Sequence, residues 1–317
     1  MTRITTFGEV GITVREGTSP YLLVTFGNYR HNPTLQSFFA LNFSEKYGIS
    51  TVGVSASRNH WWNTAGFSAA MNEIRRIAAG REIVTYGASM GGFGAVLSDS
   101  WLNPTRIISA SPQLVIGPAA PWEKRWAKDV GATVFTHPSA AKMLSDKPQV
   151  YLLYDSMHSL DAKQARTIFN RANVTCLSVP WGGHPVLQTM REGGILSKTI
   201  LLILNGALEP QYFPEFARTR RLSSTYLAEL AMAYARRKHS DTEAALQLLE
   251  RAIEWPGTPP LIQGSRIAMK ARLLTQMRRY DEALEAMDEM EKIRAPTPSA
   301  IALKEKIKRL KSEKKQG

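Results

Sequence analysis

The sequence contains very little cysteine, because Cys176 is the only one among its 317 residues. A single cysteine excludes an internal disulfide and fits a reducing compartment. Long apolar runs are also missing, and no stretch approaches the roughly 20 apolar residues of a membrane-spanning helix. The longest candidate, residues 195–208, is interrupted by a serine, a lysine, a threonine and an asparagine. We therefore expect no transmembrane segment.

Residues 1–14 lack the cationic stretch and following apolar run that are typical of a signal peptide. Together with the scarcity of cysteine, this predicts a cytoplasmic protein. Metal-ligand patterns are absent as well: the sequence has no His-x-x-x-His, no cysteine pair and no carboxylates at ligand spacing. The glycine run at residues 91–94 belongs to a serine motif rather than to a phosphate-binding loop. We expect neither a metal nor a cofactor.

Acidic residues are the minority, with 27 Asp and Glu against 40 Lys and Arg, which gives a net charge of +13. Much of the basic surplus lies in residues 218–221, 236–238 and 304–315. Such runs are typical of a solvated helix face or a frayed end, and the alternative is attraction to an anionic surface. No nucleic-acid-binding motif accompanies the charge, so we do not expect specific nucleic-acid binding.

Short β-branched apolar runs alternate with helical patterns between residues 21 and 206, which predicts an α/β domain with a mostly parallel sheet covered by helices. The predicted strands are residues 21–26, 49–55, 82–86, 106–110, 150–154 and 174–179, with an antiparallel edge around 4–15. The predicted helices are residues 34–47, 66–79, 92–101, 161–172 and 187–204. This predicted α/β domain covers residues 1–212.

Residues 213–317 carry only helical patterns and predict a second, all-α domain. Residues 226–234 pair with 243–253, and residues 268–277 pair with 280–287. In its small residues and its Tyr-Asp-Glu-Ala-Leu segment this region resembles tetratricopeptide repeats. The two helix pairs are about 39 residues apart in the sequence, which is longer than the period of those repeats. The resemblance leaves two roles open, a structural helical cap and a groove that binds a protein partner.

Ser89 is the candidate nucleophile. It lies in Gly87-Ala-Ser89-Met-Gly91, after a predicted strand and before a small-residue helix. In that context a Gly-x-Ser-x-Gly turn exposes the serine Oγ, and the glycines let two chain segments approach closely.

A histidine and an acid are needed to activate this serine. His184 follows Trp181-Gly-Gly on the loop after the last predicted strand, where it is suited to act as the base. His60 is the one rival, and a packing role suits it better. The acid is either Asp155, directly at a strand end, or Asp161, which an N-cap role would also explain. The strand-end position favours Asp155.

Strand, serine turn, helix, acid and histidine in this order resemble the α/β-hydrolase superfamily from about residue 21 to 206. The resemblance implies an acyl-serine intermediate and an oxyanion hole formed by the backbone N–H groups of Met90 and Asn28. Asn28 stands where a His-Gly pair is common in the superfamily.

Five tryptophans surround these motifs in the sequence. Trp61, Trp62 and Trp181 follow strand ends and are the candidate substrate-binding residues, and with Trp122 and Trp126 they would wall a pocket. The alternative for each is burial in the core. The proline- and tryptophan-containing stretch at residues 113–147 breaks the strand–helix rhythm and predicts a lid over the site.

The function expected from these features is hydrolysis of a carboxylic ester or thioester by a Ser-His-Asp triad. The substrate would be a small-molecule or glycan acyl ester. One alternative is acyl transfer to a bacterial surface glycan, because the Ser-Met-Gly-Gly-Phe-Gly turn with Asn-His-Trp-Trp upstream is similar to hydrolase-like proteins linked to glycan modification. The other is a non-enzymatic docking protein built on a hydrolase scaffold.

Overall fold

The computed structural model describes residues 3–29, 37–236 and 241–316, which form two compact units, Met1–Arg218 and Thr219–Gly317. In the first unit the strands are β1 Arg3–Phe7, β2 Val10–Arg15, β3 Tyr21–Phe26, β4 Thr51–Ala56, β5 Glu82–Ala88, β6 Arg106–Ala110, β7 Gln149–Tyr154 and β8 Val174–Ser178. Its helices are α1 Leu41–Lys46, α2 Gly66–Ala78, α3 Met90–Leu97, α4 Asp99–Leu102, α5 Ala127–Gly131, α6 Ser159–Ala165, α7 Val186–Glu192, α8 Leu196–Leu204 and α9 Phe213–Ala217.

The eight strands form one sheet in the order β1-β2-β4-β3-β5-β6-β7-β8. β2 pairs antiparallel with β1 and with β4, and every pairing from β4 to β8 is parallel. The predicted fold class is therefore confirmed, including the antiparallel edge at the start of the chain. The first residues of the helix predicted at 34–47 lie outside the described residues, and the helix predicted at 187–204 is two helices, α7 and α8.

The sheet is buried on both faces, as its helical coverings require. All six residues of β3 are buried, and they alternate between two apolar layers: Val24 and Phe26 contribute to one, and Tyr21 and Leu23 to the other. This alternation follows from the two-residue period of a strand. Because parallel strands end at one edge, the loops that follow β3, β5, β6, β7 and β8 can assemble a common site there.

The second unit contains α10 Ser224–Ala235, α11 Thr242–Ile253, α12 Pro260–Gln276, α13 Tyr280–Ile293 and α14 Pro298–Gln316. α10 packs on α11 and α12 packs on α13, as predicted, around buried residues such as Leu249 and Met287. The basic run at 304–315 lies in α14, where Ile307 is buried, so it is a helix with one packed face rather than a frayed end. The likeness to tetratricopeptide repeats stays a prediction.

The unit boundary falls after Arg218 rather than after residue 212. The difference has a physical cause, because the side chains of Phe213 and Ala217 in α9 are 2% exposed and belong to the apolar layer of the first unit. A sequence of uniformly helical pattern gives no sign of which core a short helix joins.

Candidate active site

Ser89 occupies the sharp turn between β5 and α3, with φ 55° and ψ −119°. A left-handed backbone at a residue other than glycine costs energy and is concentrated at functional sites. Two glycines make the turn possible. A Cβ on Gly87 would lie 2.1 Å from the carbonyl oxygen of Gly91, and one on Gly91 would lie 2.3 Å from that of Phe26.

Replacing Gly91 with alanine is expected to destabilise the fold by several kcal/mol, on the order of 3, because the new methyl group would collide with backbone atoms that cannot rotate away. The matched control is Gly131→Ala at the end of α5, where an added Cβ meets no atom within 4 Å. That variant should equal or slightly exceed the wild type in stability. Urea denaturation of both variants measures the difference, and similar midpoints would contradict the close approach.

His184 lies on the loop after β8 and contacts Ser89 directly. Its Nε2 is 3.0 Å from Ser89 Oγ, and its Nδ1 is 2.8 Å from Asp161 Oδ2. An ionised carboxylate only accepts hydrogen bonds, so Nδ1 carries the hydrogen and Nε2 is free to accept one from the serine. The arrangement therefore has the proton direction that activates Ser89 for attack.

The acid beside His184 is Asp161 and not Asp155, which corrects the preference drawn from the sequence. Asp155 is 1% exposed and accepts hydrogen bonds from the backbone N–H groups of Met157, Trp181 and Gly183 at 2.8–2.9 Å. Asp155 directly follows β7, and through these hydrogen bonds its side chain holds the loop after β8, which carries His184. Asp161, in the first turn of α6, reaches the imidazole.

Asp161 is not the N-cap of α6 either. His158 holds that position, and its Nδ1 accepts from the N–H of Asp161 at 3.3 Å. Burial alone would raise the pKa of Asp161, but contacts with the imidazoles of His158 and His184 outweigh it and hold that pKa well below its ordinary value. The carboxylate stays ionised, as a group that orients an imidazole must.

Arg125 also contacts Asp161, with its Nη1 2.8 Å from Oδ1, while its Nη2 lies 2.6 Å from Glu123 Oε2. The side chains of both acids have no exposed surface. Burial opposes the charge on Arg125, but its two carboxylate partners prevail and raise its pKa. One guanidinium thus compensates two buried carboxylates, and it comes from the 113–147 segment that the sequence predicts to be a lid.

Gln113 is a site residue that the sequence analysis missed. Its Nε2 donates to Ser89 Oγ at 3.0 Å, and its Oε1 accepts from Trp61 Nε1 at 2.6 Å. An indole N–H can only donate, so it fixes which end of the amide faces the serine. Both Gln113 and Trp61 are fully buried. The only signal in the sequence is a polar residue three positions after β6, which is too weak to identify it.

Trp61 and Trp62 lie beneath the serine turn and do not line the cavity beside Ser89. Trp62 is 1% exposed and donates from Nε1 to the carbonyl oxygen of Met90 at 2.9 Å. Trp181 is also absent from the cavity lining, and its backbone N–H donates a hydrogen bond to Asp155. These predicted substrate-binding residues therefore support the site rather than line it. The indole N–H groups of Trp61 and Trp62 and the backbone N–H of Trp181 hold the loops of the site in place.

The oxyanion prediction concerns backbone amides at two neighbouring strand ends. Met90 is the first residue of α3, and the first N–H groups of a helix lack intrahelical partners. Asn28 follows β3 and lines the same cavity as Ser89. The N–H groups of Met90 and Asn28 therefore remain our predicted oxyanion donors.

The cavity that contains Ser89 has a volume of about 700 Å³. Its walls are mostly apolar and come from α1, α7, α8 and the strand ends, with Trp126 from the 113–147 segment. The ring centroid of Trp126 is 5.9 Å from that of His184 and 4.5 Å from that of Tyr29. The hydroxyl of Tyr29 donates to Asp129 in the same segment at 2.5 Å. The predicted lid segment is therefore a wall of the cavity in this conformation.

Across residues 3–29, 37–236 and 241–316, no helix has the length and apolar character needed to cross a membrane. Over the same part of the chain, no cluster of three His, Cys, Asp or Glu side chains is arranged to hold a metal ion.

No protein-family model matches this chain, and no curated protein matches it. Several solved structures do. The glycosylation-associated Gap123 complex from Streptococcus agalactiae matches with a TM-score of 0.51 and 15% identity, over 63% of this chain and 46% of that one. The capsule O-acetyltransferase of Neisseria meningitidis serogroup A matches with a TM-score of 0.45 and 13% identity, over 58% of this chain and 87% of that one.

FphF, a fluorophosphonate-binding serine hydrolase of Staphylococcus aureus, matches with a TM-score of 0.40 and 10% identity, over 57% of this chain and 89% of that one. At such identities the similarity concerns the fold and not the activity. What this site does must therefore be argued from its own residues.

Proposed function

We propose that this chain, which has the α/β-hydrolase fold, is a serine enzyme that cleaves a carboxylic ester or thioester through an acyl-Ser89 intermediate. The observation that carries the proposal is the continuous line of contacts from Asp161 through His184 to Ser89, at 2.8 and 3.0 Å. Each atom in the line has the donor or acceptor role that the chemistry needs.

In the acylation step Ser89 Oγ attacks the substrate carbonyl carbon and passes its hydrogen to His184 Nε2. The negative charge that develops on the carbonyl oxygen would be stabilised by the N–H groups of Met90 and Asn28, the predicted oxyanion donors. The tetrahedral intermediate then loses the alcohol or thiol, which takes the proton from His184. Asp161 stabilises the imidazolium that exists between these two transfers.

Deacylation repeats the same steps with an incoming hydroxyl. A water molecule gives hydrolysis, and a sugar hydroxyl gives acyl transfer to a glycan, which is our alternative function. Both use His184 first as base and then as acid, so the triad itself does not choose between them. Product analysis with and without added carbohydrate separates the two outcomes.

Gln113 supports the serine in this scheme. Since its amide nitrogen donates to Ser89 Oγ, the hydroxyl hydrogen is directed toward His184 rather than toward another acceptor. The same N–H remains beside Oγ as negative charge develops there during proton transfer. We therefore propose Gln113 as a catalytic residue alongside the triad.

The non-enzymatic alternative, a docking protein on a hydrolase scaffold, would need no aligned triad. We propose instead that the first unit is catalytic and that any protein partner binds the second unit, α10 to α14. The cytoplasmic location of the protein remains a prediction from the sequence.

Covalent labelling with a fluorophosphonate probe tests the function. We expect the folded protein to be labelled at Ser89, as read by mass spectrometry of the proteolysed product, because an activated serine attacks the phosphorus as it would a carbonyl. Heat-unfolded protein and Ser89→Ala should remain unlabelled. Absence of labelling at Ser89, or labelling instead at Ser111, which directly follows the neighbouring strand β6, would contradict the proposal.

A further inference from the structure

Two cations lie at the rim of the cavity that contains Ser89. Lys46 ends α1 and Arg191 lies in the last turn of α7, and both are exposed side chains that line the cavity. No aspartate or glutamate is among the described residues that line it. The charged side chains that line the cavity and are exposed to solvent are therefore cationic, one from α1 and one from α7.

Neither cation forms an ion pair with any residue that the structure describes. The Lys46 ammonium lies 5.3 Å from the ring centroid of Tyr47, and the Arg191 guanidinium donates to the amide oxygen of Gln188. The nearby acid Glu192 accepts from Gln188 and does not line the cavity. Both charges thus stay available to an anion.

Much of the remaining lining of this cavity is apolar. Phe43, Tyr47, Leu196 and Ile200 line it. A cavity of about 700 Å³ is within the range of ligand sites and holds far more than a short acyl group. The cavity thus offers an apolar surface together with the nucleophile Ser89 and two exposed cationic side chains.

We infer that the substrate is an ester or thioester that carries a phosphate or carboxylate, separated from its scissile carbonyl by a largely apolar chain. This inference rests on the proposed acyl-Ser89 chemistry. The anion pairs with Lys46 and Arg191 at the rim, the chain lies along the apolar wall, and the carbonyl reaches Ser89. The bond that breaks is the C–O or C–S bond of the ester, and the anion belongs either to the leaving group or to the acyl group.

Two matched substrate pairs test the inference and identify which half carries the charge. 6-Acetoxyhexyl phosphate and hexyl acetate differ by one phosphate on the leaving group. The mono-p-nitrophenyl ester of adipate and p-nitrophenyl hexanoate differ by one carboxylate on the acyl group. We expect kcat/KM for the charged member of one pair to exceed that of its neutral partner by about 10-fold, as two charge-assisted contacts allow.

The variant Lys46→Gln/Arg191→Gln should abolish this preference and leave the rates of the neutral substrates within about twofold of the wild type. Lys198→Gln is the matched control, because the Lys198 ammonium lies 4.5 Å from the Phe216 ring centroid and does not line the cavity. That control should keep the full preference, and added salt should reduce the preference of the wild type.

Equal rates within both pairs, or a preference that survives in the double variant, would overturn the inference while the proposed function stands. If no substrate reacts and Ser89 is not labelled, the proposed function has failed instead. Calorimetric binding of hexyl phosphate against hexanol, and of hexanoate against hexanamide, then decides the inference by itself. Tighter binding of a charged ligand that depends on Lys46 and Arg191 supports it, and equal binding rejects it.

Discussion

Asp161→Asn is expected to lower kcat by about 10⁴-fold, with a much smaller change in KM. The amide nitrogen of asparagine donates where the carboxylate accepts, so His184 would carry its hydrogen on Nε2 and could no longer take one from Ser89. Steady-state kinetics with a p-nitrophenyl ester measures the change. Because Asp161 does not line the cavity, binding of the substrate should persist.

Asp155→Asn is the matched control for this variant. It also replaces a buried aspartate, but Asp155 binds three backbone N–H groups and does not touch His184. The asparagine NH₂ group would face backbone donors and leave one of them without an acceptor, at a cost of about 1–3 kcal/mol of stability. We expect a lowered unfolding midpoint and a modest change in kcat. A 10⁴-fold loss in Asp155→Asn with near-normal Asp161→Asn would reverse the assignment.

The free energy by which the Asp161 carboxylate stabilises the wild-type fold should depend on pH in a defined direction. The folded-state pKa of Asp161 is below its ordinary value, so the ionised carboxylate stabilises the fold above the unfolded-state pKa of about 3.9. That contribution is lost as pH falls through the depressed folded-state value. The difference in unfolding free energy between the wild type and Asp161→Asn should therefore be largest near neutral pH and shrink in acid.

The sheet could be predicted from the sequence because each strand has a local signal. β-branched apolar runs such as residues 106–110 are bounded by turns, and their order along the chain follows the alternation of strands and helices. The serine turn is equally local, since Gly87, Ser89 and Gly91 lie within five positions. His184 could be found because it follows the last strand on a glycine-containing loop.

The acid could not be chosen from the sequence, since the choice depends on the directions of two side chains, one directly after β7 and one in the first turn of α6. Asp155 and Asp161 are both acceptable there by position. What separates them is that the loop folds back, so that its backbone amides occupy the nearer carboxylate. This contact joins residues 28 positions apart, Asp155 and Gly183, and no periodicity encodes it.

The tryptophans show the same limit. Trp61 follows a strand end, which is typical of a pocket residue, yet its ring is buried and its N–H reaches Gln113, 52 positions away. Its function in the fold is visible only when both partners are in place. Trp126, by contrast, lines the cavity from within the segment predicted as a lid.

Changing Gln113 is expected to have the second largest effect on the reaction. Gln113→Leu removes the donor to Ser89 Oγ and should lower kcat/KM by about 10- to 100-fold, the range for a lost hydrogen bond to a charged group. Gln113→Glu should cost more, about 10³-fold, because a carboxylate accepts the serine hydrogen and competes with His184 for it. Kinetics with a neutral p-nitrophenyl ester measures both variants.

Trp61→Phe tests why the amide of Gln113 is oriented as it is. Without the indole N–H the amide is free to turn its oxygen toward Ser89, so we expect a loss smaller than that of Gln113→Glu. In a Gln113→Leu background the same change has no amide left to orient, and kcat/KM should fall further by no more than about twofold. Urea denaturation of each variant separates this coupling from a loss of stability.

Additive losses from the two changes would mean that Trp61 acts only by packing beneath the serine turn. A wild-type rate in Gln113→Leu would remove Gln113 from the reaction altogether and leave the triad to act without it. The coupled outcome would instead establish that a residue on the loop after β4 sets the direction of the hydroxyl hydrogen on Ser89. The donor that the indole presents and the acceptor that His184 presents would then define the two ends of one hydrogen-bonded line through the nucleophile.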